Sequence, residues 1–184
     1  MKICYVFLAE GFEEIEALTV VDLLRRARLK VETVSIAGTD MVTGSHAISV
    51  KADTKIEDVN LRQAGMLVLP GGMPGTKNLA ECTELIEMLR EFDETNRRIA
   101  AICAAPSILG ELGLLKNKKA VCYPGNEEKL LGAEVLKEEV VTDGNITTSR
   151  GMGTAIPFGL ELIKLIVSET EAGAMKNKIV YRQS

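Results

Sequence analysis

Short apolar runs alternate along this chain with longer stretches in which apolar positions recur every three or four residues, and that alternation predicts the order of elements. Lys2–Leu8 reads as a buried strand. Glu13–Arg26 reads as a helix, with Glu13 and Glu14 solvated in a first turn that the helix dipole favours. Lys30–Ile36 predicts a second strand, alternating around Val31, Thr33 and Ser35, and Ala47–Lys51 a short one. Met66–Leu69 predicts a buried strand stopped by Pro70-Gly71-Gly72. Thr83–Phe92 carries Leu85, Ile86, Leu89 and Phe92 at helical spacing. Arg98–Ile102 predicts another strand, and Ala104–Leu112 the helix that follows it. Beyond these, Lys119–Cys122 reads as a strand, and Glu138–Thr142 with Asn145–Thr148 as a hairpin across Asp143-Gly144. Ala155–Val167 predicts a long apolar helix, expected to be the most buried, residues 169–176 a final helix, and Ile179–Tyr181 a closing strand.

Strands alternating with helices imply an α/β fold with a mostly parallel sheet covered on both faces. Sites in such sheets lie beyond the carboxyl ends of the strands. That rule puts Ala9–Gly11, Pro70–Gly75 and Cys103 on one rim. No repeat, low-complexity segment or linker interrupts the pattern, so one domain over residues 1–184 is expected. Composition changes the picture mainly by exclusion. With 46% hydrophobic and 26% charged residues and a net charge of -4, the chain has no basic stripe for nucleic acid and no acidic tail. The apolar run Ile3–Ala9 is too short for a signal peptide or a membrane span. Cys4, Cys82, Cys103 and Cys122 show no metal-ligand spacing, and a chain of this size needs no disulfides. The expectation is a reducing, cytoplasmic setting. A single histidine, His46, excludes a histidine-rich metal site, and neither a metal nor a cofactor is expected.

The candidate chemistry centres on Cys103, where a buried strand turns abruptly into a helix. Hydrolases use such a corner to hold a nucleophile above the sheet. Ala101, Ala104 and Ala105 supply the small neighbours the turn needs, and Pro106 falls in the first helical turn, where its missing N–H costs little. A helix N-terminus would lower a thiol's pKa, and its free amides would hold an oxyanion. Cysteine is also a small hydrophobe that is often simply buried. Position favours function for Cys103, while Cys4 and Cys122 lie in strand patterns and read as core, and Cys82 as structural.

Glu16 shares a helix face with Val20, Leu23, Leu24 and Ala27. On such a face a carboxyl loses hydration, so its pKa should rise, and in its protonated form it can donate to a thiolate. At the edge of the stripe it would instead be solvated. Leu69–Gly75 is glycine-rich and lets backbone amides approach a ligand, but it lacks the lysine of a P-loop.

Four stretches, AEGFEEIEA (9–17), VLPGG (68–72), AAICAAP (100–106) and TSRGMGTA (148–155), together resemble the ThiJ/PfpI superfamily. Within it the match is to the branch of the parkinsonism-linked protein deglycase and its bacterial chaperone-like relatives. The resemblance implies a flavodoxin-like three-layer sandwich, usually a homodimer. By position it makes Cys103 the reactive cysteine, Glu16 the carboxyl that hydrogen-bonds it, and the amides of Gly72 and Ala104 an anion pocket. Arg150 and Gly151 match a loop near that pocket. Two positions depart from the pattern: Tyr123 stands where many members have a histidine, and His46 stands where relatives often carry arginine. The resemblance places the His46 loop near the site across the dimer interface, within reach of the partner subunit's pocket; the plainer reading is an exposed loop histidine.

The implied function is cofactor-free glyoxalase or deglycase action on a small aldehyde such as methylglyoxal, with the same thiol able to sense oxidants. A cysteine peptidase or amidase needs a base, and members of that kind tend to have histidine directly after the nucleophile, where this chain has Ala104. A non-enzymatic, chaperone-like dimer is the third reading. Thiamine-pathway chemistry rests on an inherited family name alone.

Overall fold

The computed structural model describes residues 2–182. In chain order the strands are β1 (Ile3–Leu8), β2 (Lys30–Ser35), β3 (Met41–Thr43), β4 (Ser49–Lys51), β5 (Thr54–Lys55), β6 (Ala64–Leu69), β7 (Arg98–Ile102), β8 (Lys119–Ala120), β9 (Glu134–Val135), β10 (Val140–Asp143) and β11 (Ile146–Ser149). The helices are α1 (Glu14–Arg26), α2 (Gly75–Glu81), α3 (Thr83–Glu94), α4 (Pro106–Glu111), α5 (Ala155–Ile166) and α6 (Glu169–Lys178).

Seven strands form the central sheet in the order β10-β11-β7-β6-β1-β2-β5, parallel throughout except for the antiparallel edge pair β10-β11. Strand periodicity sorts the side chains onto two faces. Tyr5 and Phe7 of β1 face one way, joined by Leu67, Leu69, Ile99 and Ala101, and pack under Leu79, Leu85, Phe92 and Leu109 of α2, α3 and α4. Val6 and Leu8 face the other way with Met66, Val68 and Ala100, against Val20 and Leu24 of α1 and Phe158 and Leu162 of α5. Burying each such side chain contributes roughly 1.5–3 kcal/mol, so the two faces together account for the three-layer, flavodoxin-like α/β sandwich. Among the described residues no helix is long and apolar enough to cross a membrane.

The topology also creates a crevice. β1 pairs with β2 on one side and β6 on the other. The crossovers that follow β1 and β6 therefore diverge, and their strand ends open onto a switch point.

Several elements differ from the sequence pattern. Ile179–Tyr181 is not a strand: Ile179 caps α6, with its N–H on Met175 O at 3.0 Å, and Val180 N–H reaches Asn177 O at 3.1 Å. Its β-branched residues have no strand to pair with there, and continuing the helix hydrogen bonds wins. α5 is not the most buried helix, since Ile156, Leu160, Leu165 and Ile166 are only partly covered. Short α4 is more enclosed, with Pro106–Gly110 all buried. The hairpin forms one residue later than expected, Asp143 pairing with Ile146 across Gly144-Asn145.

Candidate active site

The rim beyond the strand ends is built by three backbone turns. After β7 the chain reverses at Cys103, which adopts φ +66°, a left-handed conformation that a non-glycine residue occupies at a cost of about 1–3 kcal/mol. Hydrogen bonds hold it there. Cys103 N–H donates to Ser149 O at 3.0 Å, and Cys103 O accepts from Tyr123 N–H at 2.8 Å. The loops after β8 and β11 thus fix the corner that presents the thiol.

Glu16 meets this corner from α1. It is 1% exposed, on the face shared with Val20, Leu23 and Leu24, as its spacing predicts. Its Oε2 accepts the Gly71 N–H at 2.8 Å. Gly71 sits between the two side chains: a Cβ on it would lie 2.6 Å from the Cys103 Cβ and 2.7 Å from Glu16 Oε2. Only the absence of a side chain lets carboxyl and thiol share this space, a packing role beyond the amide approach that the glycine-rich stretch suggests. Gly71→Ala is expected to cost about 1–3 kcal/mol through overpacking, a Tm loss of several degrees. It should also slow alkylation of Cys103 by iodoacetamide at least about tenfold. Thermal melts and mapped labelling check both.

The electrostatics follow from burial. Burial pushes the Glu16 carboxyl from 4.5 up to about 7, against the opposing hydrogen bonds of Cys103 and the Gly71 amide. The Cys103 thiol is pushed up to about 12, first by burial, then by the charge of Glu16; the amides of Ala104 and Gly72 pull it back only in part. This reverses the expected lowering. α4 starts three residues past Cys103 and has only six residues, too short a dipole to outweigh burial beside a carboxylate. Two groups this close compete for charge, so the site carries one negative charge, shared between sulfur and carboxylate, before it can carry two. Burial likewise raises Cys4 and Cys122 to about 11, which fits core thiols.

A cavity of about 680 Å³ opens over this pair. Of the residues singled out from the sequence, Cys103, Glu16, Gly72, Ala104 and Tyr123 line it. Arg150 and Gly151 flank it instead: Gly151 supports the Tyr123 ring, with Cδ2 3.2 Å from where a glycine Cβ would lie, and Arg150 reaches toward Lys137 O. His46 is elsewhere in the chain, its Nδ1 3.2 Å from Glu14 Oε2 and 3.6 Å from Glu13 Oε1. The sequence pattern missed Glu13, Thr76, Ser107 and Met152 in the cavity wall. Thr76 Oγ1 is buried there without a hydrogen-bond partner among the described residues.

Glu14 is also not solvated as expected. It is 5% exposed and accepts the amides of His46 at 2.8 Å and Ile48 at 3.4 Å, which pin the loop between β3 and β4 onto α1. Burial alone would raise its pKa, but these hydrogen bonds outweigh it and hold the carboxyl below its usual range. Glu13, Glu14 and His46 bring donor atoms within 4.8 Å of one another, a spacing a cation could bridge, though the loop amides already occupy Glu14 Oε1.

Comparison with known proteins agrees with this fold. The chain is 37% identical over 166 residues to Protein DJ-1 homolog A of Arabidopsis thaliana, covering 90% of this chain but only 42% of that protein, so it spans about two fifths of the plant relative's length. It is 31% identical over 185 residues to the Parkinson disease protein 7 homolog of Danio rerio, covering 98% of each. The oxidized DJ-1 of Toxoplasma gondii superposes over 100% of both chains with a TM-score of 0.95 at 33% identity. The pattern of the DJ-1/PfpI family matches residues 1–165. The family match over residues 1–165, the relatives at 31–37% identity and the superposition along the whole chain place this protein in the DJ-1/PfpI family.

Proposed function

We propose that this protein converts small 2-oxoaldehydes to 2-hydroxy acids without a cofactor, using Cys103 as nucleophile and Glu16 as its proton partner. The observation that carries this reading is the pairing of a partly exposed sulfur with a carboxyl of pKa about 7 inside an open cavity. A base with that pKa is matched to work near neutral pH. Glu16 takes the thiol proton as sulfur adds to the aldehyde carbon, and the carbonyl oxygen becomes the hydroxyl of a hemithioacetal. The Gly72 and Ala104 amides hydrogen-bond the sulfur, and donors of this kind beside the reacting atom stabilise the charge that develops on the carbonyl oxygen. The former aldehyde carbon then loses its proton and the adjacent carbonyl carbon gains one. The first carbon is thereby oxidised and the second reduced, so no external oxidant is needed. Water cleaves the resulting thioester, releasing the hydroxy acid and restoring the thiol. The test is proton NMR of methylglyoxal incubated with the protein and a chelator: lactate should accumulate catalytically. Loss of methylglyoxal without lactate would refute the reading.

The same sulfur is suited to oxidant sensing. Each peroxide molecule would transfer one oxygen to sulfur and leave as water, giving sulfenic and then sulfinic acid. A relative described in its oxidized form supports this second role. After mild peroxide, intact mass should gain two oxygens, mapping to Cys103 and not to Cys82. Modification on Cys82 alone would contradict it. Amide cleavage lacks comparable support, because within this chain His46 turns to Glu13 and Glu14 rather than to the sulfur.

A further inference from the structure

The cavity over Cys103 is much larger than a three-carbon aldehyde requires. At about 680 Å³ it falls in the range of pockets that enclose far bulkier ligands. Glu16 and Cys103 lie deep in it, whereas its exposed rim carries three large apolar side chains beside Lys77, Glu111 and Lys129. Met73, Tyr123 and Met152 are 62%, 52% and 56% exposed, and all three line this opening. They arrive from three separate loops, after β6, β8 and β11. Apolar side chains gathered at one pocket mouth and left in water mark a contact surface. Methionine adapts its shape to flat or irregular partners and packs well on aromatic rings. The Tyr123 ring is itself held in place, seated on Gly151, where a Cβ would approach Cδ2 to 3.2 Å. Charge does not single out an anionic ligand: Lys77 and Lys129 in the wall are offset by Glu13 and Glu111, and Lys77 lies 3.8 Å from Glu81.

We propose that this mouth is a subsite for a flat apolar substituent, so that the preferred substrates are 2-oxoaldehydes bearing an aryl or similar group rather than a methyl. The inference rests on Cys103 being the nucleophile, but its test does not need turnover. Iodoacetamide and its N-phenyl derivative deliver the same leaving group: sulfur displaces iodide, the S–C bond forms as C–I breaks, and the thiol proton passes to Glu16. The ratio of their rates at Cys103, divided by the same ratio for glutathione, isolates the subsite.

That normalised ratio should favour the phenyl reagent about three- to tenfold, the range of an aromatic contact. It should fall toward one in Tyr123→Ala and persist in Tyr123→Phe, which keeps the ring. A ratio of one or less in the unmodified protein, or one unmoved by Tyr123→Ala, overturns the subsite while leaving the nucleophile in place. No labelling of Cys103 by either reagent overturns both.

Discussion

Cys103→Ala is expected to abolish conversion of methylglyoxal to lactate, lowering kcat/KM by a factor on the order of 10³ or more. The size of the effect follows from the role assigned to the sulfur. Without it no hemithioacetal forms on the protein, and the proton shift between the two carbons has nothing to hold its substrate. Folding should survive the change. The strained corner is held by backbone hydrogen bonds to Ser149 O and from Tyr123 N–H, which alanine retains. A melt that matches the unmodified protein, together with a flat activity trace, would establish that the loss is chemical. Activity within tenfold of the unmodified protein would remove Cys103 from the mechanism and favour the chaperone-like reading.

Glu16→Gln should separate activity from stability in opposite directions. Glu16 has a folded pKa of about 7 against an ordinary 4.5. A carboxyl raised in this way adds its full share of stability below pH 4.5, where both states are protonated. That share is lost as pH climbs to 7, because the unfolded chain ionises first. Integrated over the shift, the loss at pH 8 is roughly 3 kcal/mol. Glutamine cannot ionise, so the variant should be the more stable protein at pH 8, by about 1–3 kcal/mol, and the difference should vanish near pH 4.5. Other groups do not blur this window. Glu14 and Asp53 have lowered pKa values and act at lower pH, while the upward shift of Cys103 acts above its ordinary 9. Activity should fall by about 10²–10⁴, the usual contribution of a proton-transfer group. Denaturation from pH 4.5 to 8 and parallel kinetics check both halves. A variant less stable at every pH would show that Glu16 is a structural anchor.

Local pattern carries much of this architecture. β1, β6 and β7 are short apolar runs bounded by glycine, proline or polar residues, and the layers follow from their alternation with α1 and α3. The Cys103 corner was legible because a strand runs into small residues and then Pro106. Glu16 was legible because it interrupts an apolar face. What local pattern could not show depends on contacts distant in sequence. Glu14 looked solvated on α1, yet the loop at 44–48 closes over it. β3 is only three residues long and exists through its pairing with β4. α2 hides in what reads as a glycine loop, because Gly75 tucks against the turn after β1, with its N–H on Gly11 O. The direction of the thiol's pKa shift depends on distant contacts in the same way. A helix terminus can be read from residues, but the depth of burial beside Glu16 is a tertiary fact.

The proposed chemistry depends on one proton shared between Cys103 and Glu16. The pH dependence of iodoacetamide labelling at Cys103, mapped by mass spectrometry in the unmodified protein and in Glu16→Gln, reads it directly. An inflection near pH 7 that moves above 9 in the variant is the predicted result, since the thiol then has no carboxylate to take its proton. Identical inflections in both proteins, or a Cys103 that no reagent reaches, would contradict it.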